Sequence, residues 1–505
     1  MKLKELLACV PGAKVTGDEA MEITSLCYDS RQVAPGAAFF ALRGVKSDGT
    51  EFVEAAVKGG AVAIIADRPC AVAGAVCVEV PDARRAMSLM AAVFYGTPTG
   101  NIPVVGITGT NGKTTTTYLV EGIMAEAGIP SAVLGTISYR FGATDIPAPN
   151  TTPESVDLQK ILRDLVDQGA KGAVMEVSSH SLEQHRADGC IFDVAIFTNL
   201  TRDHLDYHLD MESYYKSKLR LFTDLLAPSA HKPLRRAVVN LDDPYGPRIA
   251  AEASAPVLTY SVNGPADLCV AEAGFSVHGI RCRLQSPVGE INIESDLLGR
   301  FNLYNIMGAV GAGLALGLPK EAIEAGIRGH KKVPGRLERV PNDQGIIVLV
   351  DYAHTGDALE NVLSTISELK TDRIITIFGC GGDRDKGKRP VMGEIAARYS
   401  DLAVATSDNP RTEDPAAILA DVRAGITPLH LKEYSLEELE GGFREKGFAA
   451  IESRRTAVRA AILAARPGDI VLLAGKGHED YQIVGTEKFH FDDREEAAAA
   501  LRLRK

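Results

Sequence analysis

The sequence contains no run of about 18 apolar residues, the length a membrane-spanning helix needs, so membrane insertion is not expected. It also lacks any block of lysine and arginine: 55 basic residues stand against 66 acidic ones, a formal net charge of −11. Non-specific binding to nucleic acid or to anionic membranes requires basic patches, and neither is expected. Small anionic substrates stay open, because local clusters decide those. The eight cysteines (Cys9, Cys27, Cys70, Cys77, Cys190, Cys269, Cys282 and Cys380) form no C-x-x-C and no metal-like spacing with histidine. A reduced, cytoplasmic chain without disulfides or structural zinc is the expectation. The opening "MKLKELLACVPGAKV" holds only a short apolar run cut by Pro-Gly, which does not read as a signal peptide. No segment is of low complexity, and no short-period repeat occurs.

At 505 residues the length suggests about three domains. Residues 1–95 mix short strands and helices: "AVAIIAD", "AVCVEV", then the helical "ARRAMSLMAAVFYG". "GTPTGNI" (96–102) reads as a linker. From "IPVVGIT" onward, wholly apolar runs ("SAVLGT", "KGAVMEVSS", "DVAIFTNL", "RAVVNLD") alternate with amphipathic segments. In "LQKILRDL" the apolar positions 158, 161, 162 and 165 share one helical face. This alternation predicts a mainly parallel sheet covered on both sides. The pattern breaks at "KKVPGRLERV" (331–340) and restarts with "GIIVLVDYAH", "RIITIFGCGG", "DLAVATSDNP" and "DIVLLAGKGH". Four buried strands each entering a polar loop predict a second, doubly wound α/β domain. Ligands of such sheets bind beyond the carboxyl ends of the strands, so the loops after 350, 379, 407 and 474 are candidates to share one cleft.

"VVGITGTNGKTTTTYLV" (104–120) reads as strand, glycine loop, Lys-Thr and helix. Backbone N–H groups of such a loop cradle phosphates, Lys113 neutralises them, and Thr114 ligates Mg²⁺. The strict G-x-x-x-x-G-K-[ST] form would need glycine at 107, where Ile107 stands, so this is a variant, T-G-T-N-G-K-T. The bland alternative is a turn capping a helix, but the strand–loop–helix context favours a nucleoside triphosphate site. Glu176 closes an apolar strand. An unpaired buried charge is unfavourable, which suits a metal ligand, against the alternative of a salt-bridged core glutamate. In "TNLTRDHLDYH", Asp203 and His204 are candidates for a metal or phosphate site, while Asp206 and His208 read as solvated loop residues. "ESYYKSKLRLF" carries Lys216, Lys218 and Arg220, by itself a solvated basic face that gives no reason to single out Lys218. "RFNLYN" and "GRLE" are read as a helix cap or surface pair. "FGCGGDRDKGKRP" is either a second phosphate loop or a substrate-binding turn.

Taken together and in order, "GTNGKT", "NTTP", "MEVSSHSLEQHR", "NLTRDHLDYH", "GRFNLYN", "PGRLE", "DYAHT", "GCGGDRDKGKRP", "DNPR" and "AGKGHEDYQ" resemble the Mur ligases over essentially the whole chain. The resemblance implies three α/β domains: a UDP-substrate domain (1–98), a central P-loop ATPase (99–334) and a Rossmann-like amino-acid domain (335–505). It implies ATP-dependent amide ligation onto UDP-N-acetylmuramoyl-L-alanyl-D-glutamate in peptidoglycan synthesis, by a cytoplasmic monomer using ATP and two Mg²⁺ ions. The "DNPR" loop resembles that of members accepting meso-2,6-diaminopimelate rather than lysine. A lysine-adding member, a folylpolyglutamate-synthase-like ligase and a nucleotide-switched binding protein are the alternatives.

Residue by residue, the resemblance implies ATP contacts at Gly109, Thr110, Asn111, Gly112, Lys113, Thr114, Thr115, Asn302, Arg336 and Asp351. Ser30, Asn150, Thr151, Thr152, Ser178, Gln184 and Arg186 are implied for the UDP-substrate. Arg384, Asp408, Asn409, Pro410, Arg411, Gly475 and Glu479 are implied for diaminopimelate. Lys218 is implied to be carbamylated, holding metal with Thr114, Glu176 and His204, because a carbamate is an anionic oxygen ligand and an ammonium is not. Pro410 fixes its own φ, so Arg411 is expected to offer its planar fork to a carboxylate, with Asp408 and Asn409 accepting from an ammonium. His354 and His478 are candidates for the base that deprotonates the attacking amine.

Overall fold

Wholly apolar strands bury both faces, which requires a sheet with packing on each side. The computed structural model contains three sheets of this kind. It describes residues 1–505 other than 45–47, 204, 230, 231, 233, 330–332, 370, 371 and 505, and all their side chains except those of 205 and 206. The fold is mixed α/β with three domains, each on its own sheet.

The first sheet runs in spatial order Lys14–Thr16, Val76–Glu79, Ala61–Ala66, Ala37–Phe40, Ser25–Cys27, parallel except at its first edge strand. Successive residues point to opposite faces. Phe40 and Ile65 therefore pack with Leu3, Leu6 and Met87 on one side, while Phe39 and Ile64 pack with Val53 and Ala56 on the other. The predicted linker 96–102 is pinned rather than loose. Thr99 is buried, and its hydroxyl accepts from the Ile191 N–H at 3.0 Å. The Lys232 ammonium donates to the Ile102 carbonyl at 2.7 Å and pairs with Asp193 at 2.6 Å.

The middle sheet has eleven strands. Its centre is six parallel strands in the order Val257–Ser261, Arg236–Asn240, Val194–Phe197, Val104–Thr108, Gly172–Glu176, Ser131–Leu134. The helix Ser155–Asp167 covers it with Leu158, Leu162 and Leu165, the face predicted from spacing. The sheet adds two antiparallel strands at one edge, Ser138–Phe141 and Thr144–Pro147. Leu268–Ser276, Gly279–Ser286 and Gly289–Ser295 complete the other edge. No apolar run had signalled these five.

The third sheet has the order Glu338–Val340, Ile347–Asp351, Ile470–Ala474, Ile374–Cys380, Leu402–Ser407, Gly447–Ala450, Lys432–Glu433. All but the first strand are parallel. The four strands predicted here are therefore consecutive neighbours, with their carboxyl ends on one edge. By compactness the chain forms two units. One comprises Met1–Glu272, Arg283–Asn292 and Tyr304–Gly329; the other comprises Ala273–Cys282, Ile293–Leu303 and His330–Lys505. Among the described residues no helix is long and apolar enough to cross a membrane.

Candidate active site

In the middle sheet the chain order reverses at Val104–Thr108: Gly172–Glu176 lies on one side and Val194–Phe197 on the other. A crevice forms at such a switch point, and the glycine loop 109–112 emerges there. Gly109 (φ +152°) and Gly112 (φ +86°) are needed twice over. A Cβ on Gly109 would lie 1.9 Å from the Thr198 hydroxyl, and one on Gly112 would lie 2.2 Å from Asn305 Oδ1. The helix Lys113–Glu126 starts directly after Gly112, so its N-terminal partial charge faces the loop. Lys113 folds back over the loop and donates to the Gly109 and Thr110 carbonyls at 2.9 and 2.8 Å.

The neighbouring loop fastens this turn. The Thr110 N–H donates to the Asn199 carbonyl and the Asn111 N–H to Asn199 Oδ1, both at 2.9 Å. Thr198 and Asn199 side chains in turn donate to the Asn111 carbonyl. Two backbone donors expected to be open for phosphate are thus bonded to Asn199. Direct pairing of Val194–Phe197 with the loop strand delivers that side chain.

Register pairing sets Glu176 opposite Ile107, one strand from the glycine loop. Glu176 is buried and forms no salt bridge among the described residues. Its two oxygens accept instead from the N–H and the hydroxyl of Thr136, each at 3.0 Å. Thr136 had carried no signal in the sequence.

The expectation of a solvated basic face on the helix Met211–Thr223 holds for Lys216 and fails for Lys218. Lys218 is only 2% exposed. Positions 214, 218, 221 and 222 lie along one side of the helix, and Tyr214, Leu221 and Phe222 carry Lys218 inward with them. That spacing was the signal available and missed. Arg220, half-buried, pairs with Asp188 at 3.0 Å. Lys218 Nζ donates to the Gly109 carbonyl at 2.9 Å, the same oxygen that Lys113 meets, and lies 4.6 Å from the Tyr214 ring centre. Burial, then the charge of Lys113, pushes its ammonium well below the ordinary lysine range, with Asp203 opposing. No carboxylate stands within ion-pair distance of it among the described residues. His204 lies outside the described residues. His208, expected in a solvated loop, is buried, with Nε2 2.9 Å from the Ser179 hydroxyl and its ring stacked on Tyr214.

Magnesium takes oxygen ligands. The Thr114 hydroxyl and the Glu176 carboxylate meet that demand; Lys218 as an amine does not, and as a carbamate it does. A lysine buried beside a second lysine, with no carboxylate at ion-pair distance among the described residues, is the feature in the structure that a carbamate would resolve.

The implied UDP-substrate residues form a connected network. The Thr136 and Thr151 hydroxyls are 3.1 Å apart, and Thr152 donates to the Glu176 carbonyl at 2.9 Å. The Ser178 N–H donates to Thr152 Oγ1 at 3.2 Å, and Ser178 caps the helix Ser179–Glu183. Arg186 donates to the Thr152 carbonyl and to Gln184 and pairs with Glu154 at 2.9 Å. The Asn150 carbonyl accepts from the Tyr139 hydroxyl. Ser30 begins the short helix Ser30–Gln32 in the first domain, outside this network. The nearby Tyr28 donates to Asp157, on the helix Ser155–Asp167, at 2.5 Å.

In the second unit, Asn302, read as a cap or surface residue, is buried and donates to the Leu298 carbonyl at 2.8 Å. Arg336 lies over the Tyr352 ring at 5.1 Å. Asp351 is buried, and both its oxygens accept backbone N–H groups, Leu337 at 2.7 Å and Ala353 at 2.8 Å. It therefore holds the turn that carries Arg336. Burial raises its carboxyl pKa. Gly335 (φ +65°) is required there, since a Cβ would lie 2.2 Å from the backbone nitrogen of His478.

The glycines of 379–382 have a packing cause. A Cβ on Gly379 would sit 2.6 Å from the Thr406 carbonyl, and one on Gly382 would sit 1.8 Å from the Pro410 carbonyl. The loop lies flush on 406–410, which fits a substrate-binding turn rather than a phosphate cradle. Gly381 is flanked by both arginines: its Cβ position is 3.0 Å from Arg411 Nη1 and 3.8 Å from Arg384 Cγ. Neither guanidinium pairs with a carboxylate among the described residues. They donate to carbonyls, Arg384 to Asp383 at 3.1 Å and Arg411 to Gly382 at 2.9 Å. Arg411 stands at φ +53°. What secures it beyond Pro410 is pairing with the hairpin Tyr481–Val484/Glu487–His490: Arg411 N–H to the Ile483 carbonyl, Gly485 N–H to the Arg411 carbonyl.

Asp408 and Asn409, expected to accept from a substrate ammonium, already accept one from the chain. Lys476 Nζ is 3.2 Å from Asp408 Oδ1 and 3.3 Å from Asn409 Oδ1. Asn409 Nδ2 donates to Glu479 at 3.1 Å. The sequence places Lys476 in the loop after 474, at the proposed cleft, but gives it no role.

Three family descriptions match in order: "Mur ligase family, catalytic domain" over 22–95, "Mur ligase middle domain" over 107–313, and "Mur ligase, glutamate ligase domain" over 335–477. The UDP-N-acetylmuramoyl-L-alanyl-D-glutamate--2,6-diaminopimelate ligase of Geobacter metallireducens is 63% identical over 99% of this chain and 98% of its own length. The ligase of the same name from Geobacter sulfurreducens is 62% identical over 99% of each. A solved structure of a ligase so named superposes with a TM-score of 0.73 at 33% identity, covering 99% of both chains.

Proposed function

The chain belongs to the Mur ligase family, and from that premise we propose that it joins meso-2,6-diaminopimelate to the D-glutamate γ-carboxylate of UDP-N-acetylmuramoyl-L-alanyl-D-glutamate, driven by ATP. The observation that carries the choice of amino acid is the pair Arg384 and Arg411. Two guanidiniums without a carboxylate partner among the described residues flank Gly381, beside the acidic cluster Asp408/Glu479. Diaminopimelate has an ammonium and a carboxylate at each end; lysine has no far carboxylate and would leave the arginines unmet.

A carboxylate does not condense with an amine at useful rates, so it must be activated. The γ-carboxylate attacks the γ-phosphorus of ATP, ADP leaves, and an acyl phosphate forms. The amine of diaminopimelate then attacks the acyl carbon and phosphate is expelled. Positioning and charge neutralisation do most of the work in such transfers. Lys113 and the N-terminus of its helix neutralise phosphate, with Gly109, Thr110, Asn111, Gly112, Thr114 and Thr115 around it. Thr114, Glu176, His204 and Lys218 as its carbamate would hold two Mg²⁺ ions, which would supply further neutralisation of the phosphate charge. Asn302 and Arg336 take the nucleotide, Asp351 acting through the turn it holds. Ser30, Asn150, Thr151, Thr152, Ser178, Gln184 and Arg186 hold the UDP-substrate. Arg384, Asn409, Pro410, Arg411, Gly475 and Glu479 hold diaminopimelate, with Asp408 offering its second oxygen. Burial lowers the pKa of both candidate bases, His478 to about 4 with the charge of Arg336 adding to the effect, so each stands as a neutral imidazole able to accept a proton. His354 donates from Nδ1 to the Tyr352 carbonyl at 2.8 Å, which leaves its Nε2 as the acceptor. We place the domain limits at 1–98, 99–334 and 335–505, and the protein in the cytoplasm as a monomer.

The test is ADP release from purified protein with the UDP-dipeptide and a panel of amino acids. Turnover with meso-diaminopimelate and little with L-lysine is expected. Preference for lysine, or for folate in place of the UDP-dipeptide, would sink the reading. In the same assay Arg411→Ala is expected to raise KM for diaminopimelate at least about 30-fold, the usual cost of truncating a desolvated charge pair. KM for ATP should stay close to its starting value; equal effects would remove Arg411 from the amino-acid pocket.

A further inference from the structure

We propose that Lys476 is the positioning residue of the amino-acid pocket: its buried ammonium ties Asp408, Asn409 and Glu479 together and leaves the cluster with one net negative charge, matched to one substrate ammonium. This rests on the function proposed above. A lysine is almost never fully buried unless paired, and Lys476 is 0% exposed. It meets Asp408 Oδ1 at 3.2 Å, Asn409 Oδ1 at 3.3 Å and Glu479 Oε2 at 3.6 Å. The rings of Tyr481 and Phe491 lie about it, 5.7 and 6.0 Å from the nitrogen to their centres.

The contacts bridge two separate loops. Lys476 follows the strand Ile470–Ala474, whereas Asp408 and Asn409 follow Leu402–Ser407, and Ile374–Cys380 runs between them. Left-handed Gly475 and Gly477, φ +115° and +54°, turn the lysine inward. Asn409 is locked as well, because its Oδ1 also accepts from the Ile483 N–H at 2.9 Å. That fixes the amide so that Nδ2 faces Glu479. Removing the ammonium would loosen three substrate-facing groups at once.

The charge count follows from the same contacts. Asp408 and Glu479 contribute two negatives and Lys476 one positive. The adjoining Arg454 is cancelled by its own partner Asp493. One negative charge remains, directed at Glu479 and the second oxygen of Asp408. Burial raises the Glu479 carboxyl pKa. Burial pushes Asp408 up too, but Lys476 and Arg454 outweigh it and hold Asp408 below the usual range. Without Lys476, two carboxylates would share one buried site, where like charges disfavour joint ionisation.

The test compares Lys476→Met and Lys476→Arg in steady-state assays with ATP, UDP-dipeptide and meso-diaminopimelate varied in turn. Lys476→Met is expected to raise KM for diaminopimelate at least about 30-fold, while KM for ATP and the UDP-dipeptide moves by no more than about threefold. Lys476→Arg, which keeps the charge, should recover at least a third of that loss on a logarithmic scale. Parallel rises in all three KM values, an unchanged KM for diaminopimelate, or a methionine variant that outperforms the arginine one would overturn the role. If Lys476→Met fails to fold, the double variant D408N/K476M, which removes both charges of the pair, takes its place with the same expected split. Wild-type protein inactive with meso-diaminopimelate would overturn the proposed function itself; active wild type with an unaffected Lys476→Met would overturn only this inference.

Discussion

Lys218→Met is expected to cut kcat by a factor on the order of 10³, the upper range for losing one preorganised group that stabilises charge at a transition state, while the protein stays at least as stable. The two halves of that expectation come from one observation. Lys218 is buried on the glycine loop, donates to the carbonyl that Lys113 also uses, and has no carboxylate partner among the described residues. An unpartnered buried ammonium is unfavourable, and burial drives it toward the neutral amine. A neutral amine adds to CO₂, loses a proton and becomes a carbamate, turning a cation into an anionic oxygen ligand one strand from Glu176. Methionine fills the same volume without charge, so it removes the ligand and also removes the strain of burying an amine. The check is threefold: kcat from ADP release, thermal unfolding, and a carbamate carbonyl signal from protein equilibrated with ¹³C-bicarbonate. Retention of activity within about tenfold, or a large fall in stability with activity kept, would sink the carbamate reading. A carbonyl signal that persists in Lys218→Met would assign it elsewhere.

What could be read from sequence divides by physical cause. Strands buried on both faces declare themselves by composition, so "VVGIT", "AVMEV", "IITIFGC" and "IVLLA" are legible in the sequence. Because parallel strands align their carboxyl ends, the loops expected after 350, 379, 407 and 474 do lie on one edge. The two-sided strands 268–295 alternate exposed and buried residues along their length, and no apolar run marks them. Lysine burial was illegible for a different reason. Lys218 and Lys476 are buried by partners 109 and 68 residues away in sequence, and no local pattern carries such a contact. The glycines of 379–382 leave a phosphate loop and a substrate-binding turn both open in the sequence, because their close packing on the backbone of 406–410 has no local signal. His208 was misplaced because a polar residue in a polar stretch gives no hint of the Tyr214 ring that covers it.

Arg454→Met is expected to destabilise the second unit by about 3–5 kcal/mol, the cost of stripping one partner from a fully buried ion pair. Arg454 and Asp493 are each 0% exposed and joined twice, Nε to Oδ1 at 2.8 Å and Nη2 to Oδ2 at 2.6 Å, with Nη2 also donating to the Ala474 carbonyl at 3.0 Å. Arg454 begins the helix Arg454–Ala464 and Asp493 begins Asp493–Leu503. A cation at a helix N-terminus opposes the helix dipole, so the arginine is tolerated there because the aspartate cancels it. Truncating Arg454 leaves a buried carboxylate without its cation, and truncating Asp493 leaves a buried guanidinium whose Nη1 already has no hydrogen-bond partner among the described residues. Both single variants should therefore be poor, whereas R454M/D493L, which removes both charges, should cost clearly less than their sum. A chain of several domains need not unfold in one step, so the measurement is hydrogen exchange at the amides of 470–474 together with calorimetry. Because Ala474 directly precedes Gly475 and Lys476, the single variants should also raise KM for diaminopimelate, and the double variant should restore it in part. Singles within about 1 kcal/mol of wild type, or a double variant that equals their sum, would show that the pair is not the clamp at this strand end.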